Sequence, residues 1–202
     1  AASMYDDTII WYKNDGKEYF SSQTIIISGD GPWSIFAIDI DSDRDIDIIS
    51  FNENDNTLFW HENNGKEHFI SHIIDRNMED SWSVYAADVD IDGDVDVITR
   101  TQNNHTIFWY ENNGSEKFIS HSITNNNNPN FFHSAYDVDQ DGDMDAFPIL
   151  INNNQIIWYE NVDSSKIVSH IIMTGIDGIS ALTRADFDGD DDPDVIAISY
   201  ND

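Results

Sequence analysis

Cysteine is absent from the 202-residue chain, so the sequence excludes disulfide bonds, thiolate zinc sites and cysteine nucleophiles. Basic residues are scarce, because 9 lysines and arginines stand against 39 acidic residues and the formal net charge is −30. Such a surface repels phosphate backbones, which argues against nucleic acid as a partner. No apolar run approaches membrane-spanning length and no signal peptide is present, so we expect no membrane insertion.

The residues that are abundant predict a folded β-protein. Hydrophobic residues make up 40% of the chain and aromatic residues 12%, which is too much for a disordered acidic tail. No stretch shows sustained helical periodicity, and the apolar segments are short and rich in aromatic and β-branched residues.

The chain repeats itself with a period of 49 residues. Tryptophan recurs at this interval, and so does serine, at Trp11, Trp60, Trp109 and Trp158 and at Ser22, Ser71, Ser120 and Ser169. One unit contains four short β-segments, with the hairpin signal Asn112-Asn113-Gly114 between the third and the fourth. Four antiparallel strands in a unit of about 45–50 residues are typical of one β-propeller blade.

Between the first and second segments of each unit lies a nine-residue acidic loop, and the loop at 88–96 shows the pattern most clearly. Aspartate occupies loop positions 1, 3, 5, 7 and 9, and Gly93 at position 6 permits a sharp turn. Like charges this close repel one another strongly unless a cation lies between them. Ca²⁺ fits, because it takes six to eight oxygen ligands in a flexible shell. A solvated acidic turn without an ion is the alternative.

We therefore predict a structural Ca²⁺ in each of four acidic loops, about four ions per chain, and the four loops supply all the candidate ligands. They are Asp39, Asp41, Asp43, Asp45 and Asp47 in loop 1; Asp88, Asp90, Asp92, Asp94 and Asp96 in loop 2; Asp137, Asp139, Asp141, Asp143 and Asp145 in loop 3; and Asp186, Asp188, Asp190, Asp192 and Asp194 in loop 4. Position 7 is expected to offer its backbone carbonyl. Loop 1 has Arg44 at position 6 and loop 4 has Pro193 at position 8, and we expect the Arg44 site to be the weakest.

The two ends of the chain predict how the repeats close. Residues 8–12 match the third strand of a unit and residues 195–199 match a second strand, so the ends can share one blade and remove exposed sheet edges. We predict an all-β fold, a propeller of four four-stranded blades at residues 7–202, closed as a monomer. A ring-closing homodimer and a piece of a longer array remain open. Ala1-Ala2-Ser3 is typical of a cloning remnant, so residues 1–6 are expected to be flexible.

The acidic loops resemble those of a known repeat family. The segments AADVDIDGDVDVIT, AYDVDQDGDMDAF and ADFDGDDDPDVIAIS, with the WYEN and SHII segments after the loops, are similar to FG-GAP or VCBS repeats. These occur in integrin α-subunit propellers and in many secreted bacterial proteins. The resemblance implies a β-propeller with Ca²⁺ in the loop between the first and second strands of each blade. Similar repeats also build some lectins and some polysaccharide lyases.

Several residues outside the loops are candidates for ligand binding. Trp33, Trp82 and Phe131 lie just before the first strand of three units, whereas the fourth unit has Ser180, so packing does not require an aromatic ring there. His133 and Arg184 stand outside the repeat pattern. Core packing is the alternative interpretation of the three aromatic residues.

The function that these patterns favour is that of a calcium-stabilised, non-catalytic, secreted or extracellular propeller that binds carbohydrate or a cell-surface glycoconjugate, as lectins and adhesion proteins do. No Ser-His-Asp set and no isolated acid pair can be singled out, so we predict that the protein is not an enzyme. A scaffold or accessory module of a larger secreted enzyme or adhesin is the first alternative. A polysaccharide lyase is the second, and only His133 and Arg184 hint at it.

Overall fold

A computed structural model describes residues 1–26, 30–78, 81–101, 106–115, 117–123, 131–141, 145–150, 155–163, 166–190 and 192–200. Within these ranges every regular element is a β-strand. No helix in the described part of the chain is long and apolar enough to cross a membrane. The prediction of an all-β chain is therefore confirmed.

Seventeen strands follow one another along the described chain. They are β1 (Ala2–Ser3), β2 (Thr8–Asn14), β3 (Phe20–Ile26), β4 (Pro32–Ile38), β5 (Asp47–Asn52), β6 (Thr57–Asn63), β7 (Phe69–Asp75), β8 (Ser81–Ala87), β9 (Asp96–Thr101), β10 (Ile107–Asn112), β11 (Phe118–Ile123), β12 (Phe131–Tyr136), β13 (Asp145–Leu150), β14 (Gln155–Asp163), β15 (Lys166–Thr174), β16 (Ile179–Ala185) and β17 (Asp194–Ser199).

The strands form five antiparallel sheets in chain order. We call them the first sheet (β1–β3), the second (β4–β7), the third (β8–β11), the fourth (β12–β15) and the last (β16–β17). The second, third and fourth sheets are complete four-stranded meanders, as the repeat predicts. Their registers repeat too: Ile49 lies opposite Trp60 in the second sheet, and Ile98 lies opposite Trp109 in the third.

Tight turns join the third and fourth strands of the second and third sheets. Gly65 and Gly114 have positive φ angles of 72° and 68°, which a glycine adopts without steric cost. The side-chain oxygens of Asn63 and Asn112 accept hydrogen bonds from the amides of these two glycines, each 3.2 Å long. The predicted hairpin at Asn112-Asn113-Gly114 is thus confirmed.

The core lies between neighbouring sheets. Ile40, Ile49 and Phe51 of the second sheet and its loop are almost fully buried in one cluster with Val84 and Val97 of the third sheet. The burial of large apolar side chains is the dominant favourable term in folding, at about 25 cal/mol per Å². Each sheet is therefore stabilised mainly by the sheets beside it.

Two of the four repeated tryptophans belong to the core. Trp60 and Trp109 are 2% and 4% exposed, so packing rather than ligand stacking explains both. Each indole also stacks on a histidine of the adjacent outer strand, with ring centroids 4.7 Å apart for Trp60–His72 and for Trp109–His121.

The N-terminus differs from the prediction of a flexible segment at residues 1–6. Ala2 and Ser3 pair with Ile9 and Thr8 as β1, and the amide of Ile10 donates to the Ala1 carbonyl over 2.8 Å. This register is that of the second strand of a repeat, because Phe51 and Asn52 pair with Leu58 and Thr57 in the same way one period later.

The predicted blade shared by the two chain ends is not found among the described strands. β17 is hydrogen-bonded to β16 alone, and β1 occupies the edge of β2 that β17 was expected to pair with. The two ends therefore form separate, incomplete sheets of three and two strands.

A buried histidine replaces tyrosine in the second sheet. His61 is 2% exposed, and its Nε2 and Nδ1 lie 2.8 Å and 2.9 Å from the hydroxyl oxygens of Ser50 and Ser71. Burial, with a smaller contribution from His72, lowers the pKa of His61 to about 3. The folded protein therefore holds this ring neutral, whereas the unfolded chain protonates it near pH 6.5.

We expect His61→Gln to reduce the loss of stability in acid. Because the folded pKa is lowered, the stabilising contribution of His61 is complete above pH 6.5 and is lost as the pH falls towards 3, by about 1.4 kcal/mol per pH unit. Denaturant unfolding of both proteins between pH 7.5 and 4.5 measures this difference. Identical slopes for wild type and His61→Gln would contradict the interpretation.

Candidate functional site

Each acidic loop brings three carboxylates together. One oxygen from each member of a set lies within 4.8 Å of the others in all four loops: Asp39, Asp41 and Asp43; Asp88, Asp90 and Asp92; Asp137, Asp139 and Asp145; Asp186, Asp188 and Asp194. Loops 1 and 2 thus use positions 1, 3 and 5, whereas loops 3 and 4 use positions 1, 3 and 9.

Part of this oxygen set has hydrogen-bond partners within the loop, and part has none. The amide of Gly93 donates to Asp88 Oδ2 over 3.0 Å, and the amide of Asp94 donates to Asp92 Oδ1 over 2.9 Å. In contrast, Asp88 Oδ1 and Asp90 Oδ1 are buried and accept no hydrogen bond. A buried carboxylate oxygen without a partner is costly, so loop 2 has two acceptors that fit a cation.

Burial and mutual repulsion raise the pKa values of these carboxyls. Burial raises the pKa of Asp41 to about 6. The pKa of Asp90 is also raised, first by burial and then by the negative charge of Asp92. Both effects penalise the ionised form, and a divalent cation favours that form. The donor set is consistent with Ca²⁺, which prefers carboxylate oxygens.

The aspartate at loop position 9 has a second role. Asp96 is fully buried, and its two oxygens accept the amides of Val89 over 3.0 Å and of Asn112 over 2.7 Å. Asp47 and Asp145 accept equivalent pairs of amides. Burial raises the pKa of Asp96 to about 7 despite these bonds. Position 9 therefore joins the acidic loop to the hairpin of its own sheet.

An asparagine connects that hairpin to the preceding acidic loop. The side-chain amide of Asn112 donates to the Ile40 carbonyl over 3.4 Å, and that of Asn161 donates to the Val89 carbonyl over 2.9 Å. Ile40 and Val89 are both at loop position 2 of the previous repeat. From sequence, Asn112 is predicted only as part of a hairpin, and its recurrence 49 residues apart is the signal for this link.

The loop backbone is left-handed at position 4 as well as at position 6. Position 4 has φ angles of 63° at Ser42, 60° at Ile91, 61° at Gln140 and 81° at Gly189. At position 6, Arg44 and Gly93 take φ angles of 79° and 95°, so the backbone is left-handed there with or without a glycine. The left-handed conformation at position 4 was not predicted, because only loop 4 has a glycine there.

The carboxylates at position 7 lie against the hairpin glycines. A Cβ atom added to Gly65 would collide with Asp45 Oδ2, and one added to Gly114 would collide with Asp94 Oδ2. In loop 4, Asp192 Oδ1 accepts a hydrogen bond of 2.8 Å from Gln140 Nε2 of loop 3. The aspartate side chains at position 7 therefore contact groups outside their own loops.

The remaining predicted site residues are only partly covered by the described structure. Trp33 is 49% exposed at the start of β4, where it lines a cleft of about 350 Å³ with Pro32, Tyr5 and residues 2–4. The backbones of Trp82, Phe131, His133 and Arg184 lie in β8, β12, β12 and β16. Their side chains, and the whole of Asp143, lie outside the described residues.

These features define a class of repeat protein in which four-stranded antiparallel sheets carry one aspartate-rich loop each. A family model for the FG-GAP-like repeat matches residues 1–50, 39–99 and 88–147. The chain belongs to the FG-GAP-like repeat family, and the resemblance drawn from its loops is confirmed.

A comparison with solved structures shows a related fold. A lectin from Agrocybe aegerita, described as specifically recognising non-reducing terminal N-acetylglucosamine, superposes with a TM-score of 0.70 at 17% identity. The match covers 95% of this chain and 55% of the lectin, so the chain spans about half the length of that protein. A comparison with curated protein sequences found no match.

We expect Ile91→Gly to stabilise the protein by up to about 1 kcal/mol. A left-handed residue with a branched Cβ costs about 1–2 kcal/mol, and glycine removes that cost in exchange for a smaller loss of chain entropy. Chemical denaturation in the presence of chelator measures the change. Ile46→Gly is the matched control, because Ile46 is similarly exposed in loop 1 and has no positive φ. That variant should be destabilised, and equal effects of the two substitutions would contradict the strain at Ile91.

Proposed function

We propose that the protein is a calcium-stabilised, non-catalytic β-propeller protein that binds carbohydrate. The sheets serve as blades, the acidic loops hold Ca²⁺, and the sugar binds at the opposite ends of the strands. The exposed indole of Trp33 beside an open cleft is the observation that supports the carbohydrate site.

Calcium has a structural role in this proposal. Asp88, Asp90 and Asp92 supply the converging oxygens of loop 2, and the two buried unpartnered oxygens are the atoms whose desolvation the ion offsets. Binding free energy becomes folding free energy, since the unfolded chain has no preformed site. With affinities on the order of 10⁻⁴–10⁻³ M, as in extracellular modules, the loops suit a secreted or extracellular location.

Calcium is expected to raise the unfolding temperature of the metal-stripped protein, and about four ions should bind. At ten times the dissociation constant, each site contributes about 1.4 kcal/mol. Asp88→Asn and Asp90→Asn should each remove one site, whereas Glu53→Gln, an exposed residue outside the loops, should remove none. Affinity should weaken below about pH 6, because protons compete at carboxyls with raised pKa values. Titration calorimetry gives the stoichiometry, and fewer than two sites would refute the proposal.

The carbohydrate site rests on the geometry around Trp33. An indole half exposed at the wall of a cleft offers a flat apolar surface to the C–H face of a sugar ring, and Tyr5 adds a second, almost fully exposed ring. Trp33 lies at the start of β4, whereas acidic loop 1 follows the end of the same strand. The two kinds of site therefore lie at opposite ends of the sheet.

The recognition of N-acetylglucosamine by the Agrocybe aegerita lectin makes that sugar the first probe. Trp33→Ala should weaken binding at least tenfold, about 1.4 kcal/mol, while Trp33→Phe should retain part of the affinity. Tyr19→Ala, which changes an exposed tyrosine that does not line the cleft, is the control. A glycan array probed once with Ca²⁺ and once with chelator tests for binding to carbohydrates in general. Loss of sugar binding in chelator supports the proposal, and no binding on a broad array favours the scaffold or accessory alternative.

A further inference from the structure

Hydrogen bonds hold both peptide units that flank the residue at loop position 2. In loop 2 this residue is Val89, which is 4% exposed and lies between the converging carboxylates of Asp88 and Asp90. Its amide donates to Asp96 of its own repeat over 3.0 Å, and its carbonyl accepts the side-chain amide of Asn161 over 2.9 Å. The backbone that carries the two carboxylates is therefore restrained from its own repeat and from the next one.

Asn161 takes part in the framework of two acidic loops. Its side chain donates to Val89 in loop 2, whereas its backbone amide donates to Asp145 at position 9 of loop 3 over 2.9 Å. Asp145 also accepts the amide of Val138, at position 2 of loop 3, over 2.9 Å. Asn161 and Asp145 are at most 2% exposed, so a series of buried hydrogen bonds runs from loop 2 to loop 3.

The same series joins loop 1 to loop 2 through Asn112. Its side chain donates to the Ile40 carbonyl over 3.4 Å, and its backbone amide donates to Asp96 over 2.7 Å. Ile40 in turn donates its amide to Asp47 of loop 1 over 3.1 Å. A normal N–H···O bond measures about 2.7–3.2 Å, so we expect the link between loops 1 and 2 to be weaker than the link between loops 2 and 3.

The conformation of each linked loop depends on the asparagine of the next repeat. The carbonyls of Ile40 and Val89 accept these bonds in buried surroundings. A buried carbonyl that loses its donor is costly. The loop backbone that brings the carboxylates together is therefore favoured when the next repeat holds its asparagine in place, and that asparagine is in turn fixed by the aspartate at position 9 of its own loop.

Charge acts in the opposite direction. A cation in one loop weakens the negative potential that attracts a second cation to the neighbouring loop. Salt screens this effect, with a Debye length of about 8 Å at physiological ionic strength, whereas buried interactions are screened much less. At moderate salt we therefore expect the hydrogen bonds to determine the sign of the coupling between loops.

We propose, on the basis of the calcium role in the proposed function, that successive acidic loops bind Ca²⁺ with positive cooperativity. Asn161 couples loop 2 to loop 3, and Asn112 couples loop 1 to loop 2 more weakly. The ordering of one loop lowers the conformational entropy that its neighbour loses on binding, which is a source of cooperativity between separate sites. Because a coupling free energy is reciprocal, each loop of a pair strengthens the other by the same factor.

Calcium titration followed by the NMR signal of the Gly93 amide tests the coupling, because this amide donates to Asp88 in loop 2. Asp137→Asn removes the loop 3 site and should weaken binding at loop 2 about fivefold in moderate salt. In a chain that also carries Asn161→Ala, the same loop 3 substitution should no longer change loop 2. Asn112→Ala, the same change at the equivalent hairpin position, is the matched control and should leave the coupling of loops 2 and 3 intact.

A second control separates the coupling from a general loosening of the hairpins. The side chains of Asn63 and Asn112 both accept a hairpin glycine amide, and they donate to the carbonyls of Ile46 and Val95 in their own repeats. Both of these Asn63 bonds stay within its repeat, whereas Asn112 also reaches loop 1. With Asp39→Asn as the loop 1 knockout and the same reporter, Asn112→Ala should abolish the coupling of loops 1 and 2, and Asn63→Ala should preserve it.

Equal loop 2 affinities with and without the loop 3 site would overturn the proposal, and so would a coupling that survives Asn161→Ala. Reciprocity gives a test that needs no asparagine variant, because Asp88→Asn must weaken calcium binding at loop 3 by the factor that Asp137→Asn imposes on loop 2. Unequal factors in titration calorimetry would contradict it. Independent binding at every loop refutes the coupling alone, whereas a chain that binds no calcium refutes the calcium role as well.

Discussion

The buried aspartate at loop position 9 is the constraint on which the rest of the structure depends. Asp47, Asp96 and Asp145 each accept one amide from the acidic loop and one from the hairpin after the third strand. That hairpin carries the asparagine whose side chain reaches back to the previous loop, as Asn112 reaches Ile40 and Asn161 reaches Val89. One carboxylate therefore sets the path of its own loop and, through the asparagine, the position of the neighbouring repeat.

Unfavourable electrostatic energy is concentrated in the acidic loops. Twenty-one aspartates occupy four short segments, and burial raises the pKa of those that lie deepest, such as Asp96 and Asp145. Non-glycine residues in the left-handed backbone conformation, among them Ile91 and Arg44, add steric cost. A loop shaped in this way is stable only if something offsets the cost, and the converging carboxylates are the place where the proposed divalent cation would do so.

Equivalent apolar side chains differ in exposure between the second sheet and the last sheet. The same positions that are buried between the second and third sheets, such as Ile49 and Phe51, are exposed in the last sheet at Ile196 and Ile198. Repeat proteins obtain a large part of their stability from the interfaces between neighbouring repeats.

The sequence by itself determined the family, the all-β class, the four-stranded unit and the loops, because these follow from short local patterns that recur every 49 residues. It also indicated the hairpin at Asn112-Asn113-Gly114, since its glycine has an equivalent one repeat earlier at Gly65. Only the tertiary structure decided that Asp96 accepts backbone amides, that Asn112 links two repeats, and that Ala2–Ser3 holds the edge expected for β17. Those outcomes depend on groups brought together from distant positions, and a local pattern gives neither the rotation between successive sheets nor which of two equivalent segments pairs with a given edge.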